Sequence, residues 1–210
     1  MDAAQQPGGV KVAVLTFEGF NELDSFIALG LINRLAHLGW KAEITSPTAQ
    51  VRSMNGVAIT AQQPLEFANE ADVVLFGSGI HTRAIAADGA LLDRLQLDPL
   101  RQLIAGQCSG TLLMARLGLL ADMPACTDST TKPWVVEAGV RVLEEPFHAR
   151  GPIATAGGCL ASQYLAAWVM ARGAGEDAAR RALHYAAPVG EKDVYVDKLL
   201  TVVRPFLPPA

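Results

Sequence analysis

Strand-like apolar runs and helix-like stretches alternate along this chain, and that order limits the folds it can adopt. Residues 11–17, KVAVLTF, form a β-rich apolar run. Residues 22–39 then repeat apolar side chains at helical spacing and end at Gly39, a common helix stop. Strands that alternate with helices form βαβ crossovers, which place parallel strands in one sheet with helices on both faces. The sequence therefore predicts an α/β fold with a mostly parallel sheet.

Later segments continue the same alternation. Residues 41–47 alternate as a strand, and residues 71–79 read as a buried strand that ends in a turn of small residues. The pair Asn55-Gly56 between two short strand-like pieces predicts a hairpin. We also expect short strands near 124–127, 140–144 and 153–156, and helices near 90–95, 159–172, 176–185 and 193–203. No Pro/Gly/Ser-rich linker divides the chain, so we expect one domain over residues 1–210.

Composition and charge exclude several classes of function. The net charge is −4 and no Lys/Arg-rich tract occurs, which argues against nucleic-acid binding. No apolar run approaches the roughly 18–20 residues that span a bilayer, and the N-terminus lacks the pattern of a signal peptide. The three cysteines are too few for a disulfide framework and lack metal-ligand spacing. We therefore expect a cytoplasmic protein with no nucleic-acid or membrane partner, no metal and no cofactor.

Cys108 stands in the frame Gly106-Gln107-Cys108-Ser109-Gly110, between a strand-like run and a helix-like run. This G-x-C-x-G frame has the form of a nucleophile elbow, with sulfur in place of the serine oxygen. Backbone N–H groups and the positive end of the helix dipole are expected to favour the thiolate. The alternative is that Cys108 is a buried, inert packing residue.

Four segments of the chain resemble the ThiJ/PfpI family, within the class I glutamine amidotransferase-like superfamily. They are VAVLTFEGFNELD (12–24), VVLFGSG (73–79), AGQCSGTLLMARLGLL (105–120) and IATAGGCLASQYLAAWV (153–169). The last segment is closest in pattern to the isocyanide hydratase-like branch. The resemblance implies a flavodoxin-like three-layer sandwich, a homodimer, and Cys108 as the nucleophile.

The resemblance also implies roles for residues around Cys108. It places Asp24 as the acidic partner, with Glu22 as the neighbouring alternative. Gly79 or Ser78, together with the Ser109 backbone N–H, would form an oxyanion hole. A carboxylate beside a thiolate raises the thiol pKa, so Asp24 helps only if burial keeps it protonated and able to donate a hydrogen bond.

One position departs from the family pattern. Asp128 stands where many members carry a histidine, which argues against a Cys-His dyad. His81, Trp134 and Cys159 are further candidates for the pocket, although a surface position for His81 and a packing role for Cys159 are the simpler readings. The histidines His37, His148 and His184 and the cysteine Cys126 carry no motif.

Three hypotheses for function follow. The first is an enzyme in which Cys108 attacks a small electrophile, by isocyanide hydratase-like or glyoxalase-like chemistry. The second is a non-enzymatic role, either redox or stress sensing through oxidation of Cys108 or ligand binding. The third, a cysteine peptidase or amidase, is disfavoured by Asp128. The substrate within the first class stays open.

Overall fold

The computed structural model of the protein describes residues 9–209. Their strands, in chain order, are β1 (Lys11–Leu15), β2 (Lys41–Ser46), β3 (Gln50–Arg52), β4 (Ala58–Thr60), β5 (Gln63–Pro64), β6 (Val73–Phe76), β7 (Leu103–Gln107), β8 (Phe147–Arg150) and β9 (Ile153–Ala156). One sheet has the order β5-β2-β1-β6-β7-β9-β8. Its pairs are parallel except for the antiparallel pair of β8 and β9 at one edge. The predicted mostly parallel sheet is confirmed.

Helices connect these strands. They are α1 (Glu22–Ile32), α2 (Phe67–Glu70), α3 (Thr82–Ala87), α4 (Gly89–Leu92), α5 (Gly110–Arg116), α6 (Lys132–Glu137), α7 (Ser162–Ala174), α8 (Glu176–Ala186) and α9 (Lys192–Val203). The predicted first helix continues from α1 as a 3-10 segment, Asn33–Leu38, and stops at Gly39 in the left-handed conformation with φ 83°. Of the helices described, none combines the length and apolar character that a membrane-spanning segment needs.

The two faces of the sheet are covered by different helices, which gives the predicted three layers. Val12 and Val14 of β1 lie in a core with α1, α7, α8 and α9. Ala13 and Leu15, the alternate residues of the same strand, lie in a second core with α5 and α6. Successive side chains of a strand point to opposite faces, so a strand buried on both sides must be apolar throughout. That requirement explains the continuous apolar run at the start of the chain.

Two local predictions have different outcomes. The hairpin at Asn55-Gly56 is confirmed, since β3 and β4 pair antiparallel with Val51 opposite Ile59. The prediction of short strands near 124–127 and 140–144 is wrong. Those segments form a single bridge, between Ala125 and Val142.

Four loops follow the carboxyl ends of parallel strands and therefore lie at the same edge of the sheet. The loop after β1 leads into α1, the loop after β6 carries Gly77-Ser78-Gly79, and the turn after β7 carries Cys108. The loop after β9 carries Cys159. The chain proceeds from β1 outward to β2, then returns to β6 on the other side of β1. Open α/β sheets bind ligands at such a switch point, outside the carboxyl ends of the strands.

Gly110 lets α5 approach the strand beside it. A Cβ built on Gly110 would lie 2.5 Å from the Phe76 backbone oxygen and 2.6 Å from that of Gly77. We predict that Gly110→Ala lowers the free energy of unfolding by about 1–3 kcal/mol, because backbone atoms must move to admit the methyl group. Urea unfolding followed by circular dichroism measures this.

Gly89 is the matched control, because a Cβ built there meets nothing within 4 Å. Gly89→Ala should leave the urea midpoint unchanged or raise it slightly, as alanine favours a helix over glycine. Equal stability of the two variants would contradict the tight packing inferred at Gly110.

Candidate functional site around Cys108

The backbone of Cys108 is held in a strained turn. Its φ is 51°, and among residues 9–209 it is the one non-glycine residue with a positive φ. Its N–H donates to the Ala156 oxygen at 2.8 Å, and its carbonyl accepts from Thr127 Oγ1 at 2.7 Å. A left-handed non-glycine residue costs about 1–3 kcal/mol and persists only where its surroundings hold it. The elbow geometry predicted from the glycine frame is therefore present.

The Cys108 thiol lies in a buried, acidic environment. Cys108 is 7% exposed, and its sulfur, the Cys159 sulfur and an Asp24 carboxylate oxygen all lie within 4.8 Å of one another. Burial, followed by the nearby Asp24 and Asp128 carboxyl groups, raises the pKa of the Cys108 thiol well above its usual range. The expectation that backbone N–H groups and the helix dipole lower this pKa stays a prediction, and desolvation and the two acidic neighbours oppose it.

Asp24 is placed by the first turn of α1. The N-cap residue Asn21 accepts a hydrogen bond from the Leu23 N–H at 3.1 Å, which fixes the start of the helix. Asp24 is 2% exposed, shares a hydrogen bond with Ser78 Oγ, and accepts from Gln107 Nε2 at 3.0 Å. Burial raises the pKa of the Asp24 carboxyl despite these bonds. The buried carboxyl can thus keep its proton at pH values at which an ordinary aspartate has lost it.

Gln107 belongs to the site and was not predicted from the sequence. Its Nε2 donates to Asp24 and also to the Cys159 carbonyl at 2.9 Å. These two hydrogen bonds connect the loop after β9 to Asp24 of α1. The available signal was its position as the last residue of β7, directly before the elbow.

The candidate oxyanion residues make specific contacts. The Gly79 N–H donates to Ser109 Oγ at 3.2 Å, and Ser109 Oγ shares a hydrogen bond with Thr82 Oγ1 at 2.8 Å. The Ser78 side chain is bonded to Asp24. Gly79, Ser78 and Ser109 therefore lie beside the elbow, and their role as donors to a developing oxyanion stays a prediction. Thr82 is a further member that the sequence did not indicate.

Glu22 and His81 lie at the edge of this group. Glu22 accepts from Ser53 Oγ and from Asn55 Nδ2, the latter at 2.8 Å, so it contacts the β3–β4 hairpin. The hydrogen bond from Ser53 is the main cause that lowers the pKa of Glu22. His81 is exposed, with its ring beside Gly19. These contacts favour Asp24 over Glu22 as the acid near the thiol.

Asp128 faces the elbow from the opposite side. Its Oδ1 accepts from the N–H groups of Thr130 and Thr131, both at 2.9 Å. Its Oδ2 is buried and has no hydrogen-bond partner among the described residues. The Asp128 carboxyl adds to the rise in the Cys108 pKa. Asp128 stands where many ThiJ/PfpI proteins carry a histidine, and its carboxyl group opposes the Cys108 thiolate.

Trp134 lies on α6, and its side chain takes no part in the hydrogen bonds described above. It is half-buried and packs against the core that contains α5. The Arg83 guanidinium lies 5.1 Å from the centre of its ring. This cation–π contact joins α6 to α3 at the rim of the site.

Cys159 lies closer to Cys108 than its sequence position indicated. It begins the 3-10 turn Cys159–Ala161, is half-buried, and accepts a hydrogen bond from Asn21 Nδ2 at 3.1 Å. Burial and then Asp24 raise the pKa of its thiol, while the Asn21 bond lowers it. Cys126, by contrast, is fully buried, and burial raises the pKa of its thiol to about 12.

The cluster Asp24–Cys108–Cys159 has donor atoms that a soft divalent metal accepts. Two thiolates and a carboxylate suit Zn²⁺, and both thiols would have to release protons on binding it. The raised pKa values of the two thiols oppose that release.

The fold and site define an α/β sandwich with a cysteine on a strand–turn–helix elbow. No family model matches the chain, and no curated protein matches it by sequence. Solved structures do match: a ThiJ/PfpI family protein from Pseudomonas syringae has TM-score 0.72 and 18% identity, covering 94% of this chain and 88% of its own. A Cys-to-Ala mutant of the DJ-1 superfamily protein STM1931 from Salmonella typhimurium has TM-score 0.71 and 22% identity, with 85% and 99% covered.

A third similar structure is oxidized DJ-1 from Toxoplasma gondii. It has TM-score 0.71 and 20% identity, covering 85% of this chain and 98% of its own. At these identities the similarity shows the fold. The chain has the flavodoxin-like fold of ThiJ/PfpI and DJ-1 superfamily proteins, as the sequence resemblance predicted.

The raised pKa of Asp24 predicts a pH dependence of stability. A carboxyl whose pKa in the folded state exceeds its ordinary 3.8 stabilises the fold at low pH. That contribution is lost as pH rises through the folded pKa. We predict that the unfolding free energy of the wild type, relative to Asp24→Asn, falls as pH rises from about 4. Urea unfolding from about pH 2.5 to 8 measures the difference and includes the range below the ordinary carboxyl pKa values.

Glu22→Gln is the matched control from the same helical turn. Because the pKa of Glu22 is lowered from 4.5, its stabilising effect is present above that pH and lost as pH falls. The two variants should therefore give slopes of opposite sign. A flat difference for Asp24→Asn would show that Asp24 titrates like an exposed carboxyl.

Proposed function

We propose that the protein is an enzyme that adds the Cys108 thiol to an electrophilic carbon of a small molecule, with isocyanides as the preferred class and reactive dicarbonyls as the second. The observation that carries the proposal is the pairing of two buried groups at the elbow, the Cys108 thiol and the Asp24 carboxyl, both with a pKa that burial raises. Their sulfur and oxygen atoms lie within 4.8 Å of each other.

The charges around Cys108 favour addition over amide hydrolysis. Burial and the Asp128 carboxylate raise the pKa of the thiol, and Asp24 adds to that rise only when it is ionised. A peptidase needs a base that removes the thiol proton and later protonates the leaving amine. An addition delivers the proton to the substrate in the same step, so a neutral thiol beside a neutral acid suits it.

The reaction can be written for an isocyanide, R–N≡C. The Cys108 sulfur bonds to the terminal carbon, Asp24 gives a proton to that carbon, and the thiol proton passes to the Asp24 carboxylate. This yields the thioimidate R–N=CH–S–Cys108. Water then adds to the same carbon, the C–S bond breaks, and the thiol is restored with release of the formamide R–NH–CHO. The net change is the addition of one water molecule.

The contacts of Asp24 support its role as the proton carrier. Gln107 Nε2 donates to Oδ1 and the Ser78 hydroxyl donates to Oδ2, so both oxygens of the carboxyl group are held in place. Gln107 and Ser78 come from β7 and from the loop after β6, so two strands orient one carboxyl group. Fixed orientation of an acid beside a nucleophile lowers the entropic part of the barrier.

A redox role is the second candidate. It is supported by the half-buried Cys159 thiol beside Cys108, and one of the structures with this fold is named as oxidized. A homodimer and a cytoplasmic location stay predictions that derive from the resemblance.

The test is conversion of an aryl isocyanide to its formamide, followed by chromatography, with methylglyoxal in a parallel assay. We predict that Cys108→Ser abolishes turnover, because the hydroxyl is a far weaker nucleophile. Asp24→Asn should lower kcat/KM roughly 100-fold or more, the usual contribution of a general acid.

Cys126→Ser is the matched control, since Cys126 is the third cysteine and its sulfur lies outside the cluster. It should retain the wild-type rate. Turnover that persists in Cys108→Ser, or no turnover of either substrate class by the wild type, would contradict the proposal.

A further inference from the structure

We propose that Cys159 and Cys108 form a reversible disulfide that switches the site off under oxidation, with hydroperoxides as the oxidant. The inhibition of activity rests on the function proposed above, whereas the disulfide itself does not. The proposal gives Cys159 a role as a modification site and as the first thiol to react.

The geometry places the two sulfurs close enough for a small movement to join them. They lie within 4.8 Å, and a disulfide needs about 2.05 Å. Cys108 is fixed by hydrogen bonds at both its N–H and its carbonyl. Cys159 follows Gly157-Gly158, and its carbonyl accepts from Gln107 Nε2 and Ser162 Oγ, so in the proposed closure the Cys159 side chain rotates toward Cys108.

The surroundings of the two sulfurs indicate which thiol reacts first with the peroxide. Cys159 is half-buried, and although burial and Asp24 raise the pKa of its thiol, Asn21 Nδ2 donates to its sulfur at 3.1 Å and opposes that rise. Cys108 is 7% exposed and faces Asp24 and Asp128, which oppose its ionisation. A peroxide is attacked by the more accessible and more easily ionised thiol. Cys159 is therefore oxidised first, and Cys108 resolves the product.

The chemistry balances over two steps. The Cys159 thiolate attacks one oxygen of ROOH, the O–O bond breaks, and a proton completes ROH and the sulfenic acid Cys159–SOH. The Cys108 sulfur then attacks the Cys159 sulfur, the S–O bond breaks, and water leaves with the Cys108 proton. Two thiols and one hydroperoxide give one disulfide, one ROH and one water. A dithiol such as dithiothreitol returns the pair to thiols.

The disulfide would remove the Cys108 nucleophile from reaction. Cys126 does not take part, because its sulfur lies outside the cluster. It is fully buried, and its N–H donates to Thr155 of β9. Cys126→Ser is thus the matched control among the three cysteines.

The experiment treats the whole chain with a few equivalents of hydrogen peroxide and maps tryptic peptides without reduction. Cys108 and Cys159 lie in the separate peptides 102–116 and 151–172, so a cross-link is directly visible. We expect that cross-link in the wild type and in Cys126→Ser, its loss in Cys159→Ser, and its reversal by dithiothreitol. Thiols titrated after denaturation should fall from three to one.

Three results would overturn the proposal: a Cys108 sulfinic acid with Cys159 still a thiol, a cross-link to Cys126, or no loss of thiols. In Cys159→Ser, Cys108 should stay a thiol under the same treatment, because it is buried and its ionisation is opposed. Because the mass readout needs no substrate, a cross-link in a protein that turns over neither substrate class would refute the proposed enzyme while supporting the disulfide.

Discussion

The left-handed backbone of Cys108 is the constraint on which the rest of the site depends. It is held from the neighbouring strand by the Ala156 oxygen and from the following loop by Thr127 Oγ1. The bond to Ala156 exists because β7 and β9 are parallel neighbours with Gly106 opposite Thr155. The sheet thus supplies the energy that maintains a conformation which an isolated turn would leave.

Around that turn, a helix, a loop and the end of a strand meet at the Asp24 carboxyl group. Asp24 comes from α1, Ser78 from the loop after β6, and Gln107 from the end of β7. Their burial removes water that would otherwise hydrate a charge, which raises the pKa of both the acid and the thiol. A site of this kind begins its reaction with protons in place. It differs from a cysteine site in which a base creates the thiolate in advance.

The sequence predicted much of this arrangement and missed part of it for physical reasons. The alternation of strands and helices, the hairpin and the elbow follow from periodicity and glycine spacing, which are local signals. The contact between Cys159 and Cys108 joins residues 51 positions apart through loop geometry that periodicity does not encode. The burial of the Cys108 thiol and the approach of Asp128, which both raise the thiol pKa, appear only in the folded chain.

The measurement that tests this account most directly is the pKa of the Cys108 thiol. Iodoacetamide alkylation rates from pH 6 to 11, with Cys108→Ser as the blank and peptide mapping to assign the site, give that value. The account predicts a pKa above the ordinary value of about 8.5, because burial and two carboxyl groups disfavour the thiolate. A pKa well below that value would show that Cys108 is a preformed thiolate, and the proton-coupled addition proposed for this site would be wrong.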